Sequence, residues 1–190
     1  LKIHRKIQPL LNKNSLIADI YNHRGDQESG PDAAISYYQK ALERDPDFWP
    51  AHSNLAVAYS SLGRYPEALA SADKAISLFP DKDSLHYNRG SINSDSGNVP
   101  AGIADYSRAI ELNPDFVEAY YNRAGLYLKL SDLTGDLEEK ANLLRNADAD
   151  LTKAIAVIIE KGWPERAGLY FNRAVVRAAL SQRAEAAADL

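Results

Sequence analysis

Three prolines, Pro46, Pro80 and Pro114, stand 34 residues apart, and the same interval separates Ala41, Ala75 and Ala109. It also separates Ala34, Ala68 and Gly102, and again Asn54, Asn88 and Asn122. One period carried by several kinds of residue restricts the chain to stacked copies of a single supersecondary unit, because no copy can bury its apolar face alone. At 190 residues there is room for about five copies.

The clearest copy is residues 49–82. Leu55, Ala56, Tyr59 and Leu62 recur at steps of three and four, as do Ala68, Leu69, Ala72, Ala75 and Ile76, so both runs predict amphipathic helices. Gly63-Arg64-Tyr65-Pro66 separates them. Pro66 suits a first helical turn, where a missing N–H costs little, and Pro80 stops the second helix. The unit is a helical hairpin, and Ala68 and Ala75, two turns apart on one face, let a neighbouring helix approach closely. With Leu55-Ala56, Tyr59, Gly63, Ala68, Ala75 and Pro80 in this order, the unit resembles the tetratricopeptide repeat family; His52 stands at that family's leading Trp site. The resemblance implies an all-α fold, a right-handed superhelical α-solenoid of about five hairpins, whose first helices line a concave face.

Charged residues make up 25% of the chain and hydrophobic ones 45%, which argues against disorder. A net charge of −4 and a pI near 5.6 make bulk affinity for nucleic acid unexpected. There is no cysteine, so disulfide and thiol chemistry are excluded without identifying a compartment. The longest wholly apolar run, residues 154–159, is far short of the roughly 18 residues of a membrane span. A soluble protein is expected, cytoplasmic by default. The chain starts at Leu1, has no methionine and ends at Leu190 within a helical pattern, which reads as a piece of a longer protein.

Along the chain, residues 1–14 form a basic amphipathic segment read as a cap or the tail of a preceding repeat. The repeat domain occupies 15–190, with hairpins at about 15–48, 49–82, 83–116, 117–166 and 167–190. The first helix of the first hairpin fits poorly, because Gly25 and Asp26-Gln27-Glu28-Ser29 fall where a helix should continue. Residues 93–98 superficially match a calcium loop, but the Gly is one place early and Ala104 replaces the closing Glu, so a polar helix end is expected. In the fourth hairpin Asn122 and Asn172 are 50 residues apart instead of 34. The three-to-four spacing from Leu137 to Ile158 predicts that the insertion lengthens the second helix by about three turns.

Chemistry-bearing residues are sparse. Arg89, Arg123 and Arg173 share one place in the first helices, and Asp105, Asp150 and Asp189 share one in the second; Leu55 and Ser71 replace both in the second hairpin. Joint presence and joint absence predict ion pairs within hairpins rather than an anion site. Asn54, Asn88, Asn122 and Asn172 form a column that the family resemblance places on the inner face, flanked by Tyr87, Tyr121 and Phe171. An amide both donates to and accepts from a peptide group, so these seven residues are the candidate partner-binding set. The alternative is that each Asn bonds only its structural neighbours. His52 and His86 are read as packing residues, since stacked helices hold equivalent positions roughly 8–10 Å apart, too far for one zinc. No catalytic, metal or cofactor site is expected. The function implied is a non-catalytic scaffold binding a protein or peptide in the groove, without nucleic acid or a membrane span. The alternatives are a regulatory or targeting domain of a larger enzyme, and a self-association module, hence a possible homo-oligomer, using the long helix 137–161.

Overall fold

The computed structural model describes residues 4–188, with side chains from 13 to 181. Among the described residues there are nine α-helices and no strand, so the chain is an all-α helical repeat. The helices are α1 (His4–Asp26), α2 (Pro31–Arg44), α3 (Trp49–Ser61), α4 (Tyr65–Leu78), α5 (Asp83–Asp95), α6 (Val99–Leu112), α7 (Val117–Leu133), α8 (Leu137–Lys161) and α9 (Ala167–Ala188). They fall into two compact units, Leu1–Ser96 and Gly97–Leu190.

The 34-residue markers have identifiable work. Each second helix of the first three hairpins ends on a residue that precedes one of the periodic prolines. Asp45, Phe79 and Asn113 have φ of −139°, −143° and −139°, the extended backbone that a following proline imposes. Each donates its N–H to the carbonyl of the periodic alanine four residues back, Ala41, Ala75 or Ala109. The same alanines are fully buried. Proline and alanine therefore recur together because one ends the helix and the other lets it pack. Gly63 and Gly97, also 34 apart, take φ of 70° and 86° in the hairpin turns, a conformation that costs glycine little. Residues 93–98 accordingly form the end of α5 and a turn, and the Asn98 side chain caps α6 at the Ala101 N–H.

In the N-terminal unit, α1 packs on α2, α2 on α3, α3 on α4, and α5 on both α3 and α4. Its core is Ala18, Ala34, Ile35, Tyr38, Ala41, Ala51 and Leu55, with a second cluster of Ala56, Ala68, Ala72 and Ile92. In the C-terminal unit, α7 packs on α6 and α8, and α8 on α9, around Leu144, Leu151, Ile155, Ile158, Leu169 and Val176.

Three sequence expectations change. First, α1 runs without a break from His4 to Asp26, across the boundary expected at residue 14, and does not end early at Gly25. The reason is packing: a Cβ on Gly25 would stand 2.4 Å from the Tyr38 ring, so this glycine admits a large side chain from α2. In the second hairpin the sizes are exchanged, since Tyr59 and Ala72 occupy the corresponding positions 34 residues on and pack in one cluster. Second, α9 is one 22-residue helix where a truncated hairpin was expected. Third, the insertion is shared. The second helix is lengthened by about three turns as expected, since α8 gains seven residues at its start and four at its end relative to α6, but α7 also gains four at its end relative to α5. Gly162, with φ of 63°, closes α8, and the Trp163 N–H reaches back to the Ile158 carbonyl.

Candidate functional site

The asparagine column lies on α3, α5, α7 and α9, one residue on each. Asn54 Nδ2 donates to Asn22 Oδ1 at 3.1 Å and Asp26 Oδ1 at 2.8 Å, both on α1. Asn88 Nδ2 donates to Ser53 Oγ on α3 at 3.2 Å. In the C-terminal unit Asn172 Nδ2 donates to the Tyr121 hydroxyl on α7 at 3.3 Å. Asn122, like the other three, is half-buried. Three of the four amides thus tie a first helix to the preceding first helix. Of the flanking aromatics, Tyr87 is half-buried, while Tyr121 and Phe171 are 40% and 69% exposed.

On the N-terminal unit the column borders two hollows of about 240 and 320 Å³. The first is lined by Asp26, Glu28, Tyr38 and Asn54, the second by Asn88, Ser91, Ile92 and Asp95. Val57 and Ser61 line both, so the two hollows adjoin at α3, one reaching α1 and α2 and the other α5, and together they make up the groove of this unit. Val57 is 50% exposed, an apolar side chain shared by the two hollows. Asp26 is held in place: its Oδ1 also accepts from the Tyr38 hydroxyl at 2.9 Å. Burial first, then this bond and the carboxylate's charge, push the Tyr38 phenol well above its ordinary value.

Val57, Ser61, Ser91, Asp26 and Asp95 are absent from the sequence-based set, although a signal for most of them exists. Residues three and seven beyond each Asn share its helix face. The stripe is Asn54, Val57 and Ser61 on α3, then Asn88, Ser91 and Asp95 on α5. Asp26 belongs to the polar run that masks the end of α1, and only the fold brings it beside Asn54. In the C-terminal unit a separate hollow of about 230 Å³ is lined by Val117, Tyr121, Arg166, Gly168 and Leu169.

The repeated arginines are structural where their partners are visible. Arg123 grips Asp150 with two bonds, Nε to Oδ2 at 2.8 Å and Nη2 to Oδ1 at 2.6 Å, and gives a third to Ser107 Oγ. The two side chains are 17% and 7% exposed. Burial opposes the guanidinium charge, but the bonds to Asp150 outweigh it and hold the Arg123 pKa above its ordinary value. Arg89 bonds Asp73, on the second helix of the preceding hairpin, at 2.7 Å, a partner the sequence does not suggest. Its expected partner Asp105 is a buried residue of the C-terminal unit. Asp189 lies outside the described residues, and α9 continues to Ala188, so the run before it extends a first helix rather than forming the second. Arg173 stands over the Tyr170 ring at 5.7 Å. His52 and His86 each bond the carbonyl of a periodic proline, Pro46 and Pro80, at 2.9 and 2.7 Å.

Antiparallel helical hairpins that repeat at 34 residues, each closed by a buried alanine and a proline, define a helical-repeat protein. Family models described as "Tetratricopeptide repeat" and "TPR repeat" match residues 27–88 and 94–131. The chain belongs to the tetratricopeptide repeat family. No curated protein matches its sequence. Among solved structures, the first TPR of Spaghetti (RPAP3), bound to the HSP90 peptide SRMEEVD, is 24% identical, covers 62% of this chain and 95% of its own, and has a TM-score of 0.59. A crystal structure of MamA is 21% identical over 93% of this chain and 94% of its own, with a TM-score of 0.55. MamA 41-end from Desulfovibrio magneticus RS-1 is 16% identical over 80% and 76%, with a TM-score of 0.59. At these identities the likeness establishes the fold alone.

Proposed function

We propose that this chain is a non-catalytic interaction scaffold that holds a peptide or an extended partner segment against its first helices. The observation that carries the reading is the groove of the N-terminal unit, where half-exposed Val57 is shared by two adjoining hollows bordered by Asn54 and Asn88. An exposed apolar side chain with amides bordering the same hollows matches the needs of an extended chain, which buries alternate side chains and must satisfy its backbone polar groups. The Spaghetti TPR solved with an HSP90 peptide supports peptide holding as a use of this fold. Tyr121 and Phe171 extend the same chemistry to the C-terminal unit as large apolar contacts that cost little entropy to order. The amide bonds between successive first helices are compatible with it, since Asn54, Asn88 and Asn172 make them through Nδ2, the donor end of the amide.

The test is peptide display against the chain, followed by anisotropy measurements on the selected peptides with wild type and with Val57→Gln combined with Asn88→Ala. Both substitutions are uncharged and lie at incompletely buried sites, so the melting curve should change little. Affinity should fall by roughly tenfold or more, as expected for removing contacts near the centre of a small interface. Selected peptides that bind both forms equally would show that the groove is not the binding surface.

A further inference from the structure

We infer that the groove of the N-terminal unit selects a basic segment, one carrying an arginine or lysine for each of its two ends. This inference rests on the peptide-holding reading above and specifies the chemistry of the partner. Every charged side chain that lines the groove is a carboxylate: Asp26 and Glu28 at one end, Asp95 at the other. Among the described residues, none of the three is paired with a lysine or arginine, whereas Asp47, Glu67 and Asp73 of the same unit are paired with Lys74, Arg64 and Arg89. The uncharged groups point to the same ligand. Asn54 gives its N–H groups to Asn22 and Asp26, which leaves its amide oxygen for a ligand, and Asn88 spends a donor on Ser53. The lining is therefore rich in acceptors, and its complement is a donor.

Arginine and lysine meet both requirements of such a surface. Their aliphatic stems cover apolar area of the kind Val57 offers, while their heads reach a carboxylate. Asp26 is oriented before any ligand arrives, because Tyr38 and Asn54 both hold its Oδ1 and leave Oδ2 for a cation. The same groove repels a segment such as SRMEEVD, whose last residues are acidic. The acidic character is confined to this unit. On α7 the corresponding stripe is Asn122, Gly125 and Lys129.

Three labelled extended peptides of one alanine–serine–valine sequence, differing only in carrying two arginines, two glutamines or two glutamates, test the inference on the whole chain. The arginine peptide should bind roughly tenfold more tightly than the glutamine peptide, and the glutamate peptide more weakly still. The preference should shrink as salt rises. In Asp26→Asn, Glu28→Gln, Asp95→Asn it should collapse towards parity, with Asp95→Asn alone, at an exposed site without described bonds, giving part of the loss. Arginine and glutamine peptides that are indistinguishable, or a preference that survives the triple substitution, overturn the charge selection. If in that case Val57→Gln with Asn88→Ala still weakens binding, the groove reading stands without it. Binding untouched by that pair removes both.

Discussion

Replacing Arg123 by leucine would leave the Asp150 carboxylate, 7% exposed, without its two guanidinium bonds. Stranding a buried charge costs about 3–5 kcal/mol, more than the pair itself contributes, because the attraction that offset desolvation is gone. The second hairpin shows a neutral solution at the same positions, with Leu55 buried and the Ser71 hydroxyl turned back to the Glu67 carbonyl. Thus Arg123→Leu alone should lower the melting temperature by roughly 6–20 °C at about 2–4 °C per kcal/mol, while adding Asp150→Ser should recover at least half of the loss. Equal melting points for the single and double variants would show that the pair is not what Arg123 contributes. Tyr38 gives a second prediction at this scale. Its phenol is raised above 10.0 by burial, by its bond to Asp26 and by that carboxylate's charge. A group whose folded pKa is raised contributes stability that is whole below its unfolded pKa and is lost as pH rises through the folded value. In an alkaline absorbance titration Tyr38 should therefore stay neutral until the N-terminal unit unfolds. Tyr38→Phe should remove one phenol from that late cooperative step and none from the early reversible phase; a loss from the early phase would contradict the buried, bonded phenol.

The helices show how far the pattern of apolar residues can be read. Periodic alanines and prolines mark α2, α4 and α6 because the same residues close and pack them, and the excess length of the fourth hairpin is visible as unbroken three-to-four spacing through α8. The first helix is misleading in sequence because its fit depends on a residue twelve or more positions away. Gly25 reads as a helix breaker, yet it is the small half of a pair whose large half, Tyr38, sits on α2. Gly25→Ala should test this. Alanine favours an isolated helix by about 1 kcal/mol, but a Cβ 2.4 Å from the Tyr38 ring forces a shift that costs about 1–3 kcal/mol, so the substitution should destabilise. Combined with Tyr38→Ala, Gly25→Tyr would copy the arrangement of Tyr59 and Ala72, and the double variant should be more stable than either single one. If Gly25→Ala raises the urea midpoint, the glycine is a true helix defect. The groove was legible only in part for the same reason. Asn54, Val57 and Ser61 follow from helical spacing, whereas Asp26 enters the site from the end of α1, through the bonds that Asn54 and Tyr38 give it.

At the scale of the molecule, the repeat period and the division into units are different properties. The period marks equal hairpins, but the boundary between the two compact units falls at Ser96 and Gly97, inside the turn of the third hairpin. The period marks this turn no differently from the equivalent one at Gly63, which divides nothing, because the boundary reflects where packing is dense rather than where a copy begins. Each unit nevertheless holds its own buried clusters, around Leu55 and Ile92 in one and around Leu151 and Ile158 in the other. Repeat arrays are stabilised by near neighbours, so damage in one place need not spread. Leu151, 1% exposed between α7, α8 and α9, is the place to apply it. Leu151→Ala should cost about 2–5 kcal/mol locally and raise amide exchange through α7 and α8. Amides of α2 and α3, which surround the Leu55 cluster, should keep their protection. A uniform loss across both units would mean that the chain opens as one cooperative body. Protection retained in the N-terminal unit would mean that the groove bearing Val57 and Asp26 stays formed while the C-terminal helices open.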